Sequence, residues 1–340
     1  MAGKRNATGA PAAPPRERFL YDYGKGSQWR SMRLRVALGF PSTYAAGMAN
    51  LAFQWIYHLM NREPGVRCDR FFMPEPGAGP AHVSTMETGR PLNDYDVVAF
   101  SLAFEPDYPN MVRLLREGGV EPFAEKRTGP PIVIAGGVAV SANPEPVAAF
   151  LDLVAAGDGE PLLRDLIEAL RDARGAGTRA ARRDLIARCA ALPGVYAPSL
   201  HEVEYRSDGV IAARREKPGA PRVVSAARLD ALTEPAHSPV VSDGAAFADM
   251  FLVELSRGCP YTCRFCLTRH IGRGFRAAPG PALAALVASG SQVARRAGFV
   301  GTAFADAASM DAACRAAADA GMRVSFSSIR LTRRVLALFR

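Results

Sequence analysis

The sequence lacks the features of a membrane or secreted protein. Nowhere are there 18 consecutive apolar residues without a charge, so we expect no transmembrane helix. The basic pair Lys4-Arg5 near the start is not followed by an apolar run, which argues against an export signal. Cysteine is scarce, at six in 340 residues, and three of the six lie too close together to pair sensibly. A disulfide framework is therefore excluded, and we expect a cytoplasmic protein.

Histidine is scarce as well, at five residues. Four of them stand alone in the sequence, and we expect each to be an ordinary surface residue or a satisfied core residue: His58, His82, His201 and His237. What the chain has in excess is arginine, which gives a net charge of +9. The arginines are spread through 171–183 and 323–340 rather than gathered with aromatic residues. This favours a solvated basic surface, and RNA binding is the alternative.

The first 190 residues divide into a tail and an α/β unit. Residues 1–30 are rich in alanine, proline and charge near the start, and they predict a flexible tail. From 31 to 190, short apolar strands alternate with helices, which predicts a parallel sheet covered on both faces. The predicted strands cover 34–40, 66–73, 97–104, 131–135 and 151–156. The predicted helices cover 48–61, 108–117 and 162–171, with an arginine-rich helix within 172–195.

Ligands on such sheets bind at the carboxyl ends of the strands. Glycines cluster at these ends, at Gly39, Gly136-Gly137 and 157–159. The alternative is that tight strand-to-helix turns need residues that tolerate a positive φ. Both interpretations stay open from the sequence.

The rest of the chain divides into a linker and a second α/β unit. Residues 191–248 contain short alternating pieces separated by turn signals, which suit a small antiparallel linker. From 249 to 340 the pattern is again a repeated β/α unit. Its predicted strands cover 251–255, 298–304 and 322–327, and its predicted helices cover 281–297 and 310–320. In a barrel of such units, active residues lie at the carboxyl ends of the strands.

Three cysteines follow the first strand of this unit at the spacing C-x3-C-x2-C: Cys259, Cys263 and Cys266. Three soft sulfur ligands with no fourth cysteine nearby suit an iron–sulfur cluster that leaves one iron open. His270 lies four residues later, so a Cys3His structural zinc site is the alternative. Structural zinc sites usually bring their ligands as two separated pairs, and this group sits in one loop. Cys68 and Cys314 are expected to be buried free thiols.

The segment from Arg257-Gly258 to Cys266, including the aromatic Phe265, resembles the cluster loop of the radical S-adenosylmethionine (SAM) superfamily. The resemblance implies a 4Fe-4S cluster on the three cysteines, and an open iron that binds the amino and carboxylate groups of SAM. Electron transfer then cleaves SAM to a 5′-deoxyadenosyl radical. The reaction would be hydrogen abstraction or methyl or sulfur transfer on an unknown substrate, with flavodoxin or ferredoxin as the reductant.

The resemblance also implies contacts to SAM at the ends of the second and third strands. Gly301 and Thr302 stand where the family has a Gly-Gly-Glu-type motif, and Asp306 is the nearest carboxylate. Ser327 and Arg330 resemble the polar SAM contacts after strand three. The alternative for that pair is a helix cap with a surface charge.

The first unit resembles the cobalamin-binding domain that precedes many radical SAM barrels. The carriers are the motifs at 134–137, 143–146 and 156–161, and the implied fold is a doubly wound sheet of the flavodoxin or Rossmann type. One departure matters, because the family's Asp-x-His-x-x-Gly reads Ser42-Thr-Tyr44-Ala-Ala-Gly47 here. Tyrosine is a poor substitute for imidazole at cobalt. We therefore expect no histidine-ligated cobalamin.

Only about half of a radical SAM barrel is expected from 249 to 340, because fewer β/α units follow the cysteines than the family normally has. A short parallel sheet has an open edge, which is an aggregation liability unless it is covered. The sequence therefore suggests a partner chain that completes the barrel, or a truncated product. Two other functions stay open, namely a non-catalytic iron–sulfur or zinc module and an RNA-associated modification protein.

Overall fold

The structure is a computed structural model that describes residues 14–23, 29–74, 82–272, 274–302 and 307–328. In this part of the chain, no helix combines the length and apolar character that a bilayer crossing requires. Two parallel sheets form the framework of the described structure. Along the chain, their strands alternate with the helices that cover them.

The strands are, in chain order, β1 (Glu17–Phe19), β2 (Leu34–Phe40), β3 (Val66–Phe72), β4 (Val97–Ser101), β5 (Ile132–Gly136), β6 (Leu153–Ala155), β7 (Val195–Tyr196), β8 (His201–Tyr205), β9 (Ile211–Glu216), β10 (Val240–Ser242), β11 (Met250–Glu254), β12 (Ser256–Arg257), β13 (Arg276–Ala277), β14 (Arg296–Val300) and β15 (Arg323–Phe326). The α-helices are α1 (Tyr44–Gly47), α2 (Leu51–Arg62), α3 (Tyr108–Glu117), α4 (Val138–Ala142), α5 (Gly159–Leu170), α6 (Arg179–Ala190), α7 (Leu267–Ile271), α8 (Gly280–Gly290) and α9 (Ala307–Asp319).

The first sheet has the strand order β3-β2-β4-β5-β6-β7. Strands β2 to β6 run parallel to one another, and the short β7 is antiparallel to β6. Counted along the chain, the parallel strands lie in the order 2-1-3-4-5, which is one of the two common doubly wound orders. The prediction of an α/β fold with a parallel sheet is confirmed.

Both faces of this sheet are buried, because alternate residues of each strand point to opposite sides. In β5, Ile132 and Ile134 belong to one apolar core, while Val133 and Ala135 belong to the other. The continuous apolar runs seen in the sequence are therefore strands with two buried faces.

Helix α2 shows how a cap sets an element's start. The Asn50 side chain accepts a hydrogen bond from the Phe53 N–H at 2.9 Å, so the helix begins at Leu51, three residues later than predicted. Trp55 on this helix is buried in the core that also contains Met250 and Leu252 of β11. One core thus extends from the first sheet to the first strand of the second.

The second sheet has the order β11-β14-β15, with all strands parallel. Helices α8 and α9 pack against each other, and their buried residues share a third core with Phe251 and Phe299. Among the described residues, β15 pairs with β14 alone, and its residues Arg323, Val324 and Ser325 are exposed.

The structure differs from the predicted tail over residues 14–23. Glu17–Phe19 forms β1, which pairs antiparallel with β10, and Glu17 makes an ion pair with the buried Arg70 at 2.7 Å. Composition misses this because Arg70 lies 53 residues from Glu17 in the chain, and β10 lies farther still. In the linker, β8 and β9 form the expected antiparallel hairpin.

Candidate functional site

The cysteine loop is closed at its base by a short strand pair. Strand β11 leads into β12, which pairs antiparallel with β13, so residues 258–275 leave and return at one point. Within the loop, the Cys266 N–H donates to the Cys263 carbonyl oxygen at 3.2 Å, and the Arg269 N–H donates to the Cys266 carbonyl oxygen at 3.2 Å. These bonds begin α7 directly after the third cysteine.

The three loop thiols differ from the other cysteines in their access to solvent. Cys263 is exposed, Cys259 and Cys266 are half-buried, and none forms a disulfide. The backbone N–H of Arg269 lowers the pKa of the Cys266 thiol below its usual value. By contrast, burial raises the pKa of the Cys189 thiol to about 11. Cysteine binds a metal as the thiolate, so the three loop cysteines are the best candidate metal ligands among the six cysteines.

The structure does not bring three ligands into one metal geometry. Within residues 14–23, 29–74, 82–272, 274–302 and 307–328, no group of three His, Cys, Asp or Glu side chains is arranged so that it could hold a metal ion. The donor set still fits a thiolate-ligated cluster, because three free thiols lie within eight residues of one loop. The exposed His270 is not brought to them either.

Gly258 occupies a position that only glycine fits. Its φ is +72°, and a Cβ there would lie 2.1 Å from the Gly274 carbonyl oxygen and 2.8 Å from that of Gly272. The Thr302 hydroxyl donates a hydrogen bond to the Gly258 carbonyl oxygen. The turn that carries Cys259 is thus packed against the returning strand and tied to the end of β14.

The structure brings together three of the residues that the resemblance assigns to SAM. Thr302 and Gly301 follow β14, and Ser327 follows β15. The Ser327 hydroxyl oxygen lies 3.3 Å from both the Gly301 N and the Gly301 O. Since Thr302 also holds the cysteine turn, all three lie at one carboxyl edge. Phe265 is 93% exposed, whereas Arg330 and Asp306 lie outside the described residues.

Sequence reasoning missed the most connected side chain at the site, which is Arg257. Its guanidinium donates to both carboxylate oxygens of Glu160, at 2.8 and 3.0 Å, and to both of Glu254, at 2.8 and 2.9 Å. Asp158 lies 3.1 Å from the same guanidinium. Asp158 lies in the turn after β6 of the first sheet, and Glu160 lies in the first turn of α5, so the first sheet and the cysteine loop meet at one arginine.

Arg276 repeats the contact on the other strand of the loop base. It pairs with Arg257 in the β12–β13 ladder and donates to Asp158 at 2.7 Å. Burial raises the pKa of the Asp158 carboxyl, but the Leu229 N–H and the two guanidiniums lower it more, so that it lies below its usual value. The carboxylate is therefore held ionised. An arginine directly before Gly-Cys, and two acids in a Gly-Asp-Gly-Glu loop, were the available sequence signals.

The glycines at the carboxyl edge of the first sheet have packing roles. Gly137 has φ +110°, and a Cβ there would lie 2.5 Å from the Leu102 carbonyl oxygen. Gly157 has φ +102°, and a Cβ there would lie 2.1 Å from the Ala227 carbonyl oxygen. The interpretation of these two as tight-turn glycines is confirmed. Helix α4 at this edge contacts α7 of the cysteine loop.

Tyr44, at the family's cobalt-ligand position, is engaged elsewhere. Its hydroxyl lies 2.7 Å from Glu17 Oε1 and 2.7 Å from Ser242 Oγ. Burial, together with the Glu17 carboxylate, raises the pKa of this phenol above its usual value. A neutral phenol that already donates to a carboxylate has no free role as a metal ligand.

Many surface arginines are paired with carboxylates close in sequence or space. Exposed pairs of this kind are Arg62–Glu234, Arg90–Asp94, Arg113–Glu117, Arg188–Asp172, Arg206–Asp208 and Arg215–Glu204. The charges of these arginines are therefore balanced locally, within the described part of the chain.

Comparison with a known relative covers only part of the molecule. An uncharacterized protein from Methanocaldococcus jannaschii is 23% identical over 238 residues, which is 69% of this chain and 41% of that protein. The chain thus spans about two fifths of the length of this relative. A crystal structure of a carbohydrate transporter from Acidothermus cellulolyticus 11B, in complex with myo-inositol, is similar with a TM-score of 0.23 and 9% identity. It covers 89% of this chain and 76% of that chain, and at this score it carries no argument.

The family comparison concerns the first sheet. Residues 52–198 match the family described as "Radical SAM proteins, N-terminal". This stretch runs from α2 to the antiparallel β7 and includes the Asp158 and Glu160 loop. The match does not depend on the cysteines, which lie outside it, so two separate parts of the sequence point the same way. Over this stretch the chain is similar to the N-terminal part of radical SAM proteins.

Proposed function

We propose that this chain is a radical SAM iron–sulfur protein in which Cys259, Cys263 and Cys266 hold a 4Fe-4S cluster. The observation that carries the proposal is the placement of three free, accessible thiols at the carboxyl end of the first strand of a parallel β/α unit. When bound, the cluster supplies the electron that cleaves SAM to a 5′-deoxyadenosyl radical for hydrogen abstraction or methyl or sulfur transfer. The substrate is not defined by these residues.

The chain's own residues would position the cofactors. Thr302 fixes the turn before Cys259 through the Gly258 carbonyl oxygen. Ser327 holds the Gly301 backbone at the end of β14. We propose that Gly301, Thr302 and Ser327 line the SAM site, with Phe265 as an aromatic contact. Arg330 keeps its sequence-based assignment to the same site.

Two kinds of partner belong to the proposal. A small reducing protein of the flavodoxin or ferredoxin type would deliver the electron, since the cysteine loop is open to solvent. A partner chain would cover β15, whose exposed outer edge would otherwise present unpaired backbone groups.

The proposed cobalamin-binding role of the first sheet rests on its strand order, which flavodoxin-like folds share. Tyr44 argues against a protein ligand to cobalt there.

Anaerobic reconstitution with iron and sulfide tests the proposal. We expect about four irons and four sulfides per chain. Cys263→Ala should abolish assembly, whereas Cys314→Ala, which changes a thiol outside the loop, should not. Stoichiometric zinc without iron uptake would instead support the Cys3His module that includes His270.

A further inference from the structure

The loop after β6 in the first sheet contacts both strands at the base of the cysteine loop. Asp158 accepts from Arg276 at 2.7 Å and lies 3.1 Å from Arg257. These two arginines are directly paired across the β12–β13 ladder. One carboxylate therefore connects the outgoing and the returning strand of the loop. Glu160 adds a second connection to Arg257 at 2.8 Å.

These contacts are shielded from water. The side chains of Arg257, Asp158, Glu160 and Glu254 are only 20%, 16%, 14% and 11% exposed. Two guanidiniums, of Arg257 and Arg276, face three carboxylates, so the group is charge-matched to within one unit. The Trp55 Nε1–H also donates to Glu160 at 2.9 Å, which fixes that carboxylate from the other side. Charge-assisted, two-pronged bonds of this kind specify geometry as well as contributing energy.

The chain position of Arg257 makes the contact relevant to the cysteines. Gly258 and Cys259 follow it directly, and the Gly258 turn leaves no room for adjustment against the Gly274 carbonyl oxygen. A shift of the Arg257 backbone would therefore move the first thiol. The carboxylates that prevent this shift come from a different sheet, nearly 100 residues earlier in the chain.

We propose that Asp158 and Glu160 are positioning residues for the cysteine loop, and that the Gly157–Glu160 segment acts as its seat on the first sheet. This inference rests on the proposed function for its consequence, because the loop would carry the cluster. The seat itself is a property of the metal-free chain. It gives the Gly-Asp-Gly-Glu motif a role that does not require a corrinoid.

Hydrogen exchange of the full-length, metal-free chain tests the seat without any cofactor. The amides to follow are those of Cys266, Arg269 and Gly272, which are hydrogen-bonded inside the loop. Glu160→Gln keeps the shape of the side chain and removes its charge. We expect exchange at these amides to become about tenfold faster, since the charge-assisted bond to Arg257 is lost. Unchanged exchange would overturn the proposal.

The matched control is Glu234→Gln. Glu234 accepts from Arg62 through both carboxylate oxygens, at 2.7 and 2.9 Å, and this exposed pair makes no bond to Arg257 or Arg276. We expect no change in loop exchange for this variant. Equal acceleration in both variants would show a general loosening and would also overturn the proposal. If Glu160→Gln does not fold, Arg257→Lys takes its place, because lysine keeps the charge but cannot form a two-pronged bond to each carboxylate.

A second readout separates positioning from bulk stability. In Glu160→Gln the three cysteines are intact, so iron content after reconstitution should stay near that of the wild type. The change that SAM causes in the EPR spectrum of the reduced cluster should shrink several-fold. If the wild type binds no iron, the proposed function fails. The hydrogen-exchange experiment still shows whether Glu160 positions the cysteine loop, because it needs no cofactor.

Discussion

The substitution Gly258→Ala tests the tight turn before the first cysteine. The left-handed conformation, with φ at +72°, costs an alanine about 1–2 kcal/mol. The added Cβ would also lie 2.1 Å from the Gly274 carbonyl oxygen, at least 1.3 Å closer than the 3.4 Å at which ordinary contact begins. This contact and the one with the Gly272 carbonyl oxygen, at 2.8 Å, are both with backbone atoms, which cannot move aside as a flexible side chain can. The β12–β13 base must open by about 1 Å or more.

Gly321→Ala separates these two effects. Gly321 has φ +63° and no atom within 4 Å of its added Cβ. It should therefore lose about 1 kcal/mol of unfolding free energy from the backbone conformation alone. We expect this variant to assemble a cluster as the wild type does.

Iron bound per chain after anaerobic reconstitution is the assay, combined with urea unfolding of both variants. Gly258→Ala should retain well under one iron, against about four for the wild type. Its global stability should fall by little more than that of Gly321→Ala, because the strain is confined to the loop base. If Gly258→Ala bound iron normally, the packed turn would not be needed for the site and this reasoning would be refuted.

Three further predictions concern other parts of the molecule. Burial lowers the pKa of His58 to about 3, whereas in the unfolded chain this histidine takes up its proton near pH 6.5. The contribution of His58 to the unfolding free energy is therefore fully present above pH 6.5 and falls as the pH drops toward 3. Urea unfolding should show a loss of up to about 2 kcal/mol between pH 6.5 and 5, and a parallel fall in His58→Gln would contradict this origin. Asp152→Asn should cost about 3–5 kcal/mol because it leaves the buried guanidiniums of Arg127 and Arg182 without their counter-charge, whereas Asp208→Asn on the surface should leave the unfolding free energy nearly unchanged by the same assay. Titration with hydroxocobalamin should give no histidine-ligated visible spectrum, since Tyr44 is bonded to Glu17, and such a spectrum would refute the ligand argument.

Periodicity predicted the sheet well because its strands are buried on both faces. Residues 34–40 were predicted as a strand and form β2, and 108–117 were predicted as a helix and form α3. In such segments, the local secondary-structure preference and the buried tertiary environment favour the same apolar residues. The same agreement explains why the parallel α/β class was correct.

The sequence was less informative where the structure depends on distant charges. Glu17 orders part of the predicted tail through Arg70, and Arg257 meets Glu160 across 97 residues. Neither pairing leaves a periodic signal, because a single ion pair adds one residue at each of two unrelated positions. The cysteines are the opposite case, since their spacing alone marks a ligand set, whereas among the described residues the fold shows no group arranged to hold a metal.

Incubation of the reconstituted chain with SAM and dithionite tests whether the chain performs radical SAM chemistry. We expect 5′-deoxyadenosine from the wild type, and none from Cys263→Ala. Formation should persist in Cys314→Ala, whose changed thiol lies on α9. A wild-type chain that carries its full cluster and yet forms no 5′-deoxyadenosine would contradict the proposed activity and leave an iron–sulfur module without radical chemistry.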